Sequence, residues 1–371
     1  MTRARDLANF ADGTIGDVSG NLTGNVTGNI NGLTPQASNM QPFNRIINGA
    51  MTIDQRNAGA SVTQSTSNQF PVDRWIVAGD IVSKFTAQQS LTAPTGFINS
   101  LLITSLSAYT VGASESFVLT QYVEGLNVTD FGWGTADAAT ITVSFWVRSS
   151  LTGPFGGVVR NSASNRSYPF TYSIGSANTW EKKSITIAGD ISGTWLTTNG
   201  RGLNLTFGMG AGASASGTAG AWSAASYASA TGATSVVGTS GATFYITGVQ
   251  LEAGSTASPF AYENVGDTLR KCQRYFERIG AAATNEWGIF AYASTSGQNI
   301  GSTYTFSVPK RATPTMAVVG TFYVVNFSTL TTGSISGVGV NSFWPTPTSS
   351  AGGSVVAASS ASSYFTASSE L

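Results

Sequence analysis

Four-residue units open the patterned part of the chain. Gly16-Asp17-Val18-Ser19, Gly20-Asn21-Leu22-Thr23, Gly24-Asn25-Val26-Thr27 and Gly28-Asn29-Ile30-Asn31 follow one another, and Gly32 closes the series. Extended backbone sends alternate side chains to opposite faces. One face therefore reads Gly, Val, Gly, Leu, Gly, Val, Gly, Ile, and the other only Asp, Asn, Ser and Thr. A single strand has nothing against which to bury such a stripe. Several copies around an axis do, with glycine letting the backbones approach. The pattern predicts an intertwined β-stranded shaft, with its connector, over residues 14–45. Three chains winding together, with Val18, Leu22, Val26 and Ile30 at the seam, is the natural solution. A flexible Gly/Asn/Thr linker is the alternative, but a linker does not need large apolar residues at fixed spacing.

Ahead of this stretch, Ala4, Leu7, Ala8 and Ala11 share one face at helical spacing, with Phe10 beside them, Thr2 as a cap and Gly13 as a stop. So short a helix is marginal alone; residues 1–13 read as a docked peptide or a frayed terminus.

From about residue 70 to 262 the pattern is all-β. Ala139, Ile141, Val143, Phe145 and Val147 alternate with polar and mixed residues, as do Leu203, Leu205, Phe207 and Met209. Ile185 and Ile187 suggest another strand. Phe244 and Ile246 lie on one parity, Val249 and Leu251 on the other, so a β-bulge is expected at Gly248. Many short strands with Gly-rich turns predict a jelly roll or β-sandwich over 46–262. Residues 210–241, dense in Gly, Ala, Ser and Thr, read as a long loop or weak edge segment. One helix is expected over 263–280. Asp267 would cap it and Gly280 end it, with Leu269, Cys272, Phe276 and Ile279 on its apolar face and Arg270, Lys271, Arg274 and Arg278 on its surface. Residues 281–371 turn β-rich again, as a distal domain.

Composition narrows the chemistry. Only 10% of the 371 residues are charged and the formal net charge is zero, so hydroxyls and amides must solvate the surface. No basic stretch could neutralise phosphates, which argues against nucleic acid, and no apolar run is long enough to cross a bilayer. Met1 to Phe10 carries charges and no apolar core, unlike a signal peptide. Histidine is absent and Cys272 is the single cysteine, so the commonest general base and metal ligand are missing. Cys272 reads as a small buried hydrophobe. No ligand-spaced motif calls for a metal or a cofactor, and no Asp-x-Asp loop supports calcium.

Glycoside hydrolysis usually needs two carboxylates about one bond. No Asp or Glu lies between Glu286 and Glu370. The acids farther back, among them Asp73, Glu124, Asp130, Asp137, Glu181, Asp190 and Glu252, are scattered. Asp73 beside Arg74 reads as an ion pair or turn residue, and Glu252 as a local hydrogen-bond acceptor. Binding chemistry is better represented: aromatic rings match the C–H faces of sugars, and Asn, Gln, Ser and Thr match their hydroxyls. Trp287, Tyr292, Tyr323, Trp344, Tyr364 and Phe365 crowd the distal stretch, where core and inter-chain packing compete for each ring. Trp344, followed by Pro345 and Pro347, leads the candidates for a glycan site; Trp222, Trp287 and Tyr364 follow.

Several short motifs, in order, resemble a recurrent phage tail-fibre family. They are Asn44-Arg45-Ile46-Ile47-Asn48-Gly49-Ala50-Met51-Thr52-Ile53-Asp54-Gln55-Arg56, then Asp73-Arg74-Trp75, then Ser144-Phe145-Trp146-Val147-Arg148-Ser149. Thr247-Gly248-Val249-Gln250-Leu251-Glu252-Ala253-Gly254 comes next, then Ser258-Pro259-Phe260, Cys272-Gln273-Arg274-Tyr275 and Pro309-Lys310-Arg311-Ala312-Thr313-Pro314. Arg3-Ala4-Arg5-Asp6-Leu7-Ala8 resembles the peptide by which such fibres join the tail. The resemblance implies a carbohydrate-binding-module-like sandwich on a trimeric shaft. It also implies a homotrimer in the virion tail, held to a tail or baseplate protein through Arg3, Arg5, Leu7 and Phe10, that attaches the particle to a host-surface glycan and is not an enzyme. A capsid or tail decoration protein, and a polysaccharide depolymerase with an inter-subunit site, are the other readings.

Overall fold

Alternation of the kind seen in residues 139–148 recurs through the middle of the chain, and each strand it makes has one face to hide. A computed structural model describes residues 44–280, 286–360 and 362–371. The expected anchor residues Arg3, Arg5, Leu7 and Phe10 and the shaft residues Val18, Leu22, Val26 and Ile30 lie outside the described residues.

Fourteen strands precede the helix: Val62–Thr63 (β1), Gln69–Val72 (β2), Trp75–Gly79 (β3), Phe85–Ser90 (β4), Ser100–Ser105 (β5), Ser116–Glu124 (β6), Ile141–Ser149 (β7), Gly153–Asn161 (β8), Ser167–Ile174 (β9), Glu181–Ile187 (β10), Arg201–Ala211 (β11), Ser216–Gly217 (β12), Ser229–Ala230 (β13) and Thr243–Ala253 (β14). Twelve of them form two six-stranded sheets, ordered β1-β4-β5-β14-β7-β10 and β2-β3-β6-β11-β8-β9, with all neighbours antiparallel. The sheets face each other as a sandwich. Phe145 of the first meets Phe207 of the second edge to face at 5.0 Å, and Phe155 meets Phe244 at 6.0 Å. Trp75, Phe85, Phe117, Phe145 and Phe207 are wholly buried, each worth about 1.5–3 kcal/mol of transfer free energy. The expected bulge is present: Gly248 has φ +59°, and the β14–β7 register slips between Thr247 and Gln250.

Residues 210–241 are largely irregular, as expected, but they pack against the sandwich. β11 continues to Ala211, β12 and β13 pair in parallel, and Val236 and Val237 enter the core. Ser229 lies against Gly156 and Gly208 of the second sheet, where an added Cβ would fall 2.3 and 2.5 Å from its hydroxyl oxygen. The small residues that suggested slack let this excursion pack closely on the sheet.

The helix is shorter than its periodicity predicts. It spans Val265–Gln273 (α1) and is capped by Asn264, whose side chain accepts from the Gly266 N–H; Asp267 sits in the first turn instead. Phe276 and Ile279 belong to a strand, Phe276–Ile279 (β15), which pairs with Tyr364–Ser368 (β23). Sheet pairing with residues ninety positions away overrides the helical spacing. Cys272 is buried, as expected.

Between them lie Gly288–Ala293 (β16), Tyr304–Thr305 (β17), Thr315–Val319 (β18), Tyr323–Val325 (β19), Ile335–Ser336 (β20), Ser342–Pro345 (β21) and Gly353–Ala358 (β22). Three three-stranded sheets result, β15-β23-β18, β16-β22-β19 and β17-β21-β20. They close on a second core that includes Trp287, Phe322, Phe343 and Phe365.

Candidate functional site

The motifs that run through residues 44–75, 247–260 and 272–275 assemble a frame of hydrogen bonds and ion pairs between the sandwich and the second core. Asn44 clamps the bulged strand, donating to the Val249 carbonyl (3.0 Å) and accepting from the Leu251 N–H (3.0 Å). Asn48 donates to the carbonyls of Ile53 and Asp73, and its own carbonyl accepts from the Trp75 indole. Asp73 and Arg74 are the two turn residues between β2 and β3, with Arg74 at φ +71°. They do not pair with each other. Asp73 accepts from Arg56 and Gln55. Arg74 reaches Glu370 and the Tyr122 carbonyl and lies 3.5 Å over the Tyr275 ring. Arg56 also holds Glu370, at 2.9 Å. Arg274 grips Glu124 with two bonds, 2.9 and 2.6 Å, and Tyr275 adds a third at 2.6 Å.

These are structural charges in a drying environment. Burial pushes Glu124 up, but the bonds from Arg274 and Tyr275 outweigh it and hold the carboxyl below its ordinary range. For Asp73 burial wins over Arg56 and Gln55, and its pKa rises to about 6. Other acids weighed as catalysts are engaged locally. Asp190 takes Arg166 and the Trp195 indole. Glu181 takes Lys183. Glu252 takes Gln250 and Ser258, the acceptor role read from its position. Among the described residues no group of three His, Cys, Asp or Glu is placed to hold a metal ion.

The four predicted glycan-site rings part company. Trp287 cannot present its face, because it is buried between Phe322 (5.6 Å) and Phe365 (4.7 Å) in the distal core. Trp222 sits in a nest of rings with Trp133, Trp195 and Tyr168, and its indole donates to the Ala188 carbonyl at 2.8 Å; it pins the excursion over the sheet. Tyr364 lies under the Arg278 guanidinium at 3.9 Å. Only Trp344 remains open, about half exposed on β21. Its neighbour Phe343 points into the core, and its indole nitrogen lies where a Cβ on Gly301 would stand.

A more extensive aromatic surface lies on the β16-β22-β19 sheet. Ile289 and Ala293 point into the core, so Phe290 and Tyr292 point out and are 68% and 74% exposed. Register carries the same face across the sheet. Phe290 is opposite Val356, which is opposite Val325; Tyr292 is opposite Ser354; and Gly288 is opposite Ala358, which is opposite Tyr323, 57% exposed. The Phe290 ring leans over Gly288, where an added Cβ would lie 2.7 Å from the ring. Ala358 is fully buried and the Phe290 ring covers Gly288, so the outer face is made by the rings themselves, with Tyr323 two strands from β16, roughly 10 Å at ordinary strand spacing. The i, i+2 spacing of Phe290 and Tyr292 is visible in the sequence. Tyr323 joins them only because residues 353–358 pair with both strands.

No family model matches the chain, and no curated protein matches it. Among solved structures it is similar to carbohydrate-binding β-sandwich domains. TmCBM61 in complex with β-1,4-galactotriose is 13% identical, with 48% of this chain and 88% of that one covered and a TM-score of 0.26. A protein from Bacteroides thetaiotaomicron described as sugar-binding is 12% identical, with 57% and 100% covered and a TM-score of 0.35. The family 11 carbohydrate-binding module from Clostridium thermocellum, in complex with a β-1,3-1,4-mixed-linked tetrasaccharide, is 10% identical, with 55% and 100% covered and a TM-score of 0.28. No residue role passes from them to this chain.

Proposed function

We propose that this chain is a homotrimeric tail fibre of a bacteriophage, a non-enzymatic virion protein that attaches the particle to a glycan on the host surface. The attachment to a tail or baseplate protein falls to residues 1–13, the trimer to the stripe at Val18, Leu22, Val26 and Ile30, and glycan capture to the distal domain. The order of the tail-fibre-like motifs supports the first parts of this reading. The observation that carries the last is the exposed aromatic face of Phe290, Tyr292 and Tyr323 on the β16-β22-β19 sheet. Flat rings stack on sugar C–H faces, and Ser354 supplies a hydroxyl for a sugar edge. No carboxylate occurs between Glu286 and Glu370, so this face offers binding without an acid–base pair. Three weak sites on one particle gain avidity through effective concentration.

The test is binding of the full-length protein to purified host-surface polysaccharide, with Phe290→Ala and Tyr323→Ala beside the wild type. Binding that falls at least tenfold in each variant, with no oligosaccharide released on incubation, is the expected result. Unchanged binding moves the site elsewhere, and new reducing ends establish a depolymerase. Immunogold labelling of virions places the chain: label over the capsid shell rather than the tail defeats the fibre reading.

A further inference from the structure

The sandwich carries a second open apolar surface, and it lies where the described chain begins. Phe97, Phe260 and Tyr262 form a triangle of rings with centroids 5.1, 5.5 and 5.0 Å apart. Gly248 makes room for it, since a Cβ there would fall 2.6 Å from the Phe97 ring. Around the triangle, Ile98, Tyr262 and Val265 are 73%, 64% and 63% exposed. These residues border a groove of about 140 Å³ whose other wall is Asn44, Ile46 and Ala50.

The volume argues against a free ligand, because sites for small molecules run from roughly 300 Å³ upward. It is the size of a hole for one protruding side chain. Exposed apolar patches of this kind mark association surfaces. The chain's own connectivity says with what. Asn44, locked to the bulged strand by two hydrogen bonds, forms part of the groove wall, and the forty-three residues before it contain the stripe that needs sister chains. In the trimer proposed above each copy is tethered to its sisters through the chain that leads to residue 44, beside this groove.

The geometry points to this groove as the contact between copies of the chain, with Ile98 and Val265 as the protruding groups and the Phe97–Phe260–Tyr262 triangle as their seat. The inference rests on the trimer reading above and adds a contact surface on the sandwich itself. It also separates the two aromatic faces: the one beside Asn44 is for sister chains, and the one on β16 and β19 is for ligand.

The test uses full-length protein carrying Ile98→Cys or, separately, Val265→Cys, treated with a bis-maleimide of about 10 Å span. Tyr292→Cys serves as the distal control and wild type as the blank, since its one thiol is buried. Sedimentation velocity gives the mass of each sample, and denaturing gels give the linked species. Trimers with linkage at positions 98 and 265 and none at 292 bear the assignment out. Trimers without linkage at 98 and 265, or with linkage at 292 instead, overturn the assignment and leave the trimer standing. Monomers overturn both.

Discussion

Replacing Glu370 by Gln tests whether the motif residues tie the C-terminal residues to the sandwich. The Glu370 carboxylate lies between the guanidinium groups of Arg56 and Arg74. Arg74 is 2% exposed and Glu370 9%, so neither ion has water to fall back on. The amide keeps the shape and removes the charge. Breaking a buried pair from one side costs about 3–5 kcal/mol, and the slight opening at Glu370 places the expected loss near the lower end. Arg74 also touches the Tyr122 carbonyl and the Tyr275 ring, so a double-mutant cycle with Arg74→Met is needed to isolate the charge pair. Methionine adds no new backbone penalty, because both residues bear a Cβ at the positive φ of that turn. Urea unfolding of the four proteins should give a coupling of about 2 kcal/mol or more. The exposed Asp267–Arg270 pair on α1 should give under about 0.5 kcal/mol in the same assay. A Glu370 coupling no larger than that control would refute the reasoning and leave Asp73-Arg74-Trp75 as a hairpin turn and nothing more.

Lys310→Met strands the Glu277 carboxylate, which is 2% exposed and keeps only Ser307; a loss of about 3–5 kcal/mol is expected, largely restored by adding Glu277→Met, as read by thermal unfolding. Asp73 has a folded pKa of about 6 against 3.8 when free, so its contribution to stability is full below about pH 4 and is lost as pH rises through 6. The urea stability of wild type relative to Asp73→Asn should therefore fall by about 2 kcal/mol between pH 4 and 6 and by about 3 kcal/mol over the whole titration, and a flat difference contradicts the burial argument. Trp287→Ala should cost the distal core about 3–5 kcal/mol, whereas Tyr292→Ala should stay within about 0.5 kcal/mol of wild type and still lose glycan binding. Because Phe290, Tyr292, Tyr323 and Ser354 carry no charge, binding to the polysaccharide should hardly change between roughly 50 and 500 mM salt; steep salt dependence would place the site on charges.

Much of the sandwich is legible in the sequence because a strand writes its own faces. The alternation at Ile141–Val147 and Leu203–Met209 is a period-two consequence of extended backbone, and the parity slip at Gly248 announces its bulge without any neighbour. The buried state of Cys272 and the acceptor role of Glu252 follow from equally local features. What tertiary structure alone decided concerns partners. Phe276 and Ile279 fit a helix and a strand alike until Ser368 and Phe365 pair with them. Trp287 and Trp344 are the same kind of ring, yet one packs on Phe365 and the other is about half exposed, because sheet register across many residues sets which side is core. Arg74 stands next to Asp73 and binds Glu370 instead, since the turn points their side chains apart and only the folded chain brings residue 370 back. Backbone geometry fixes the faces of a strand over a few residues; which face meets water depends on contacts between segments far apart in the chain.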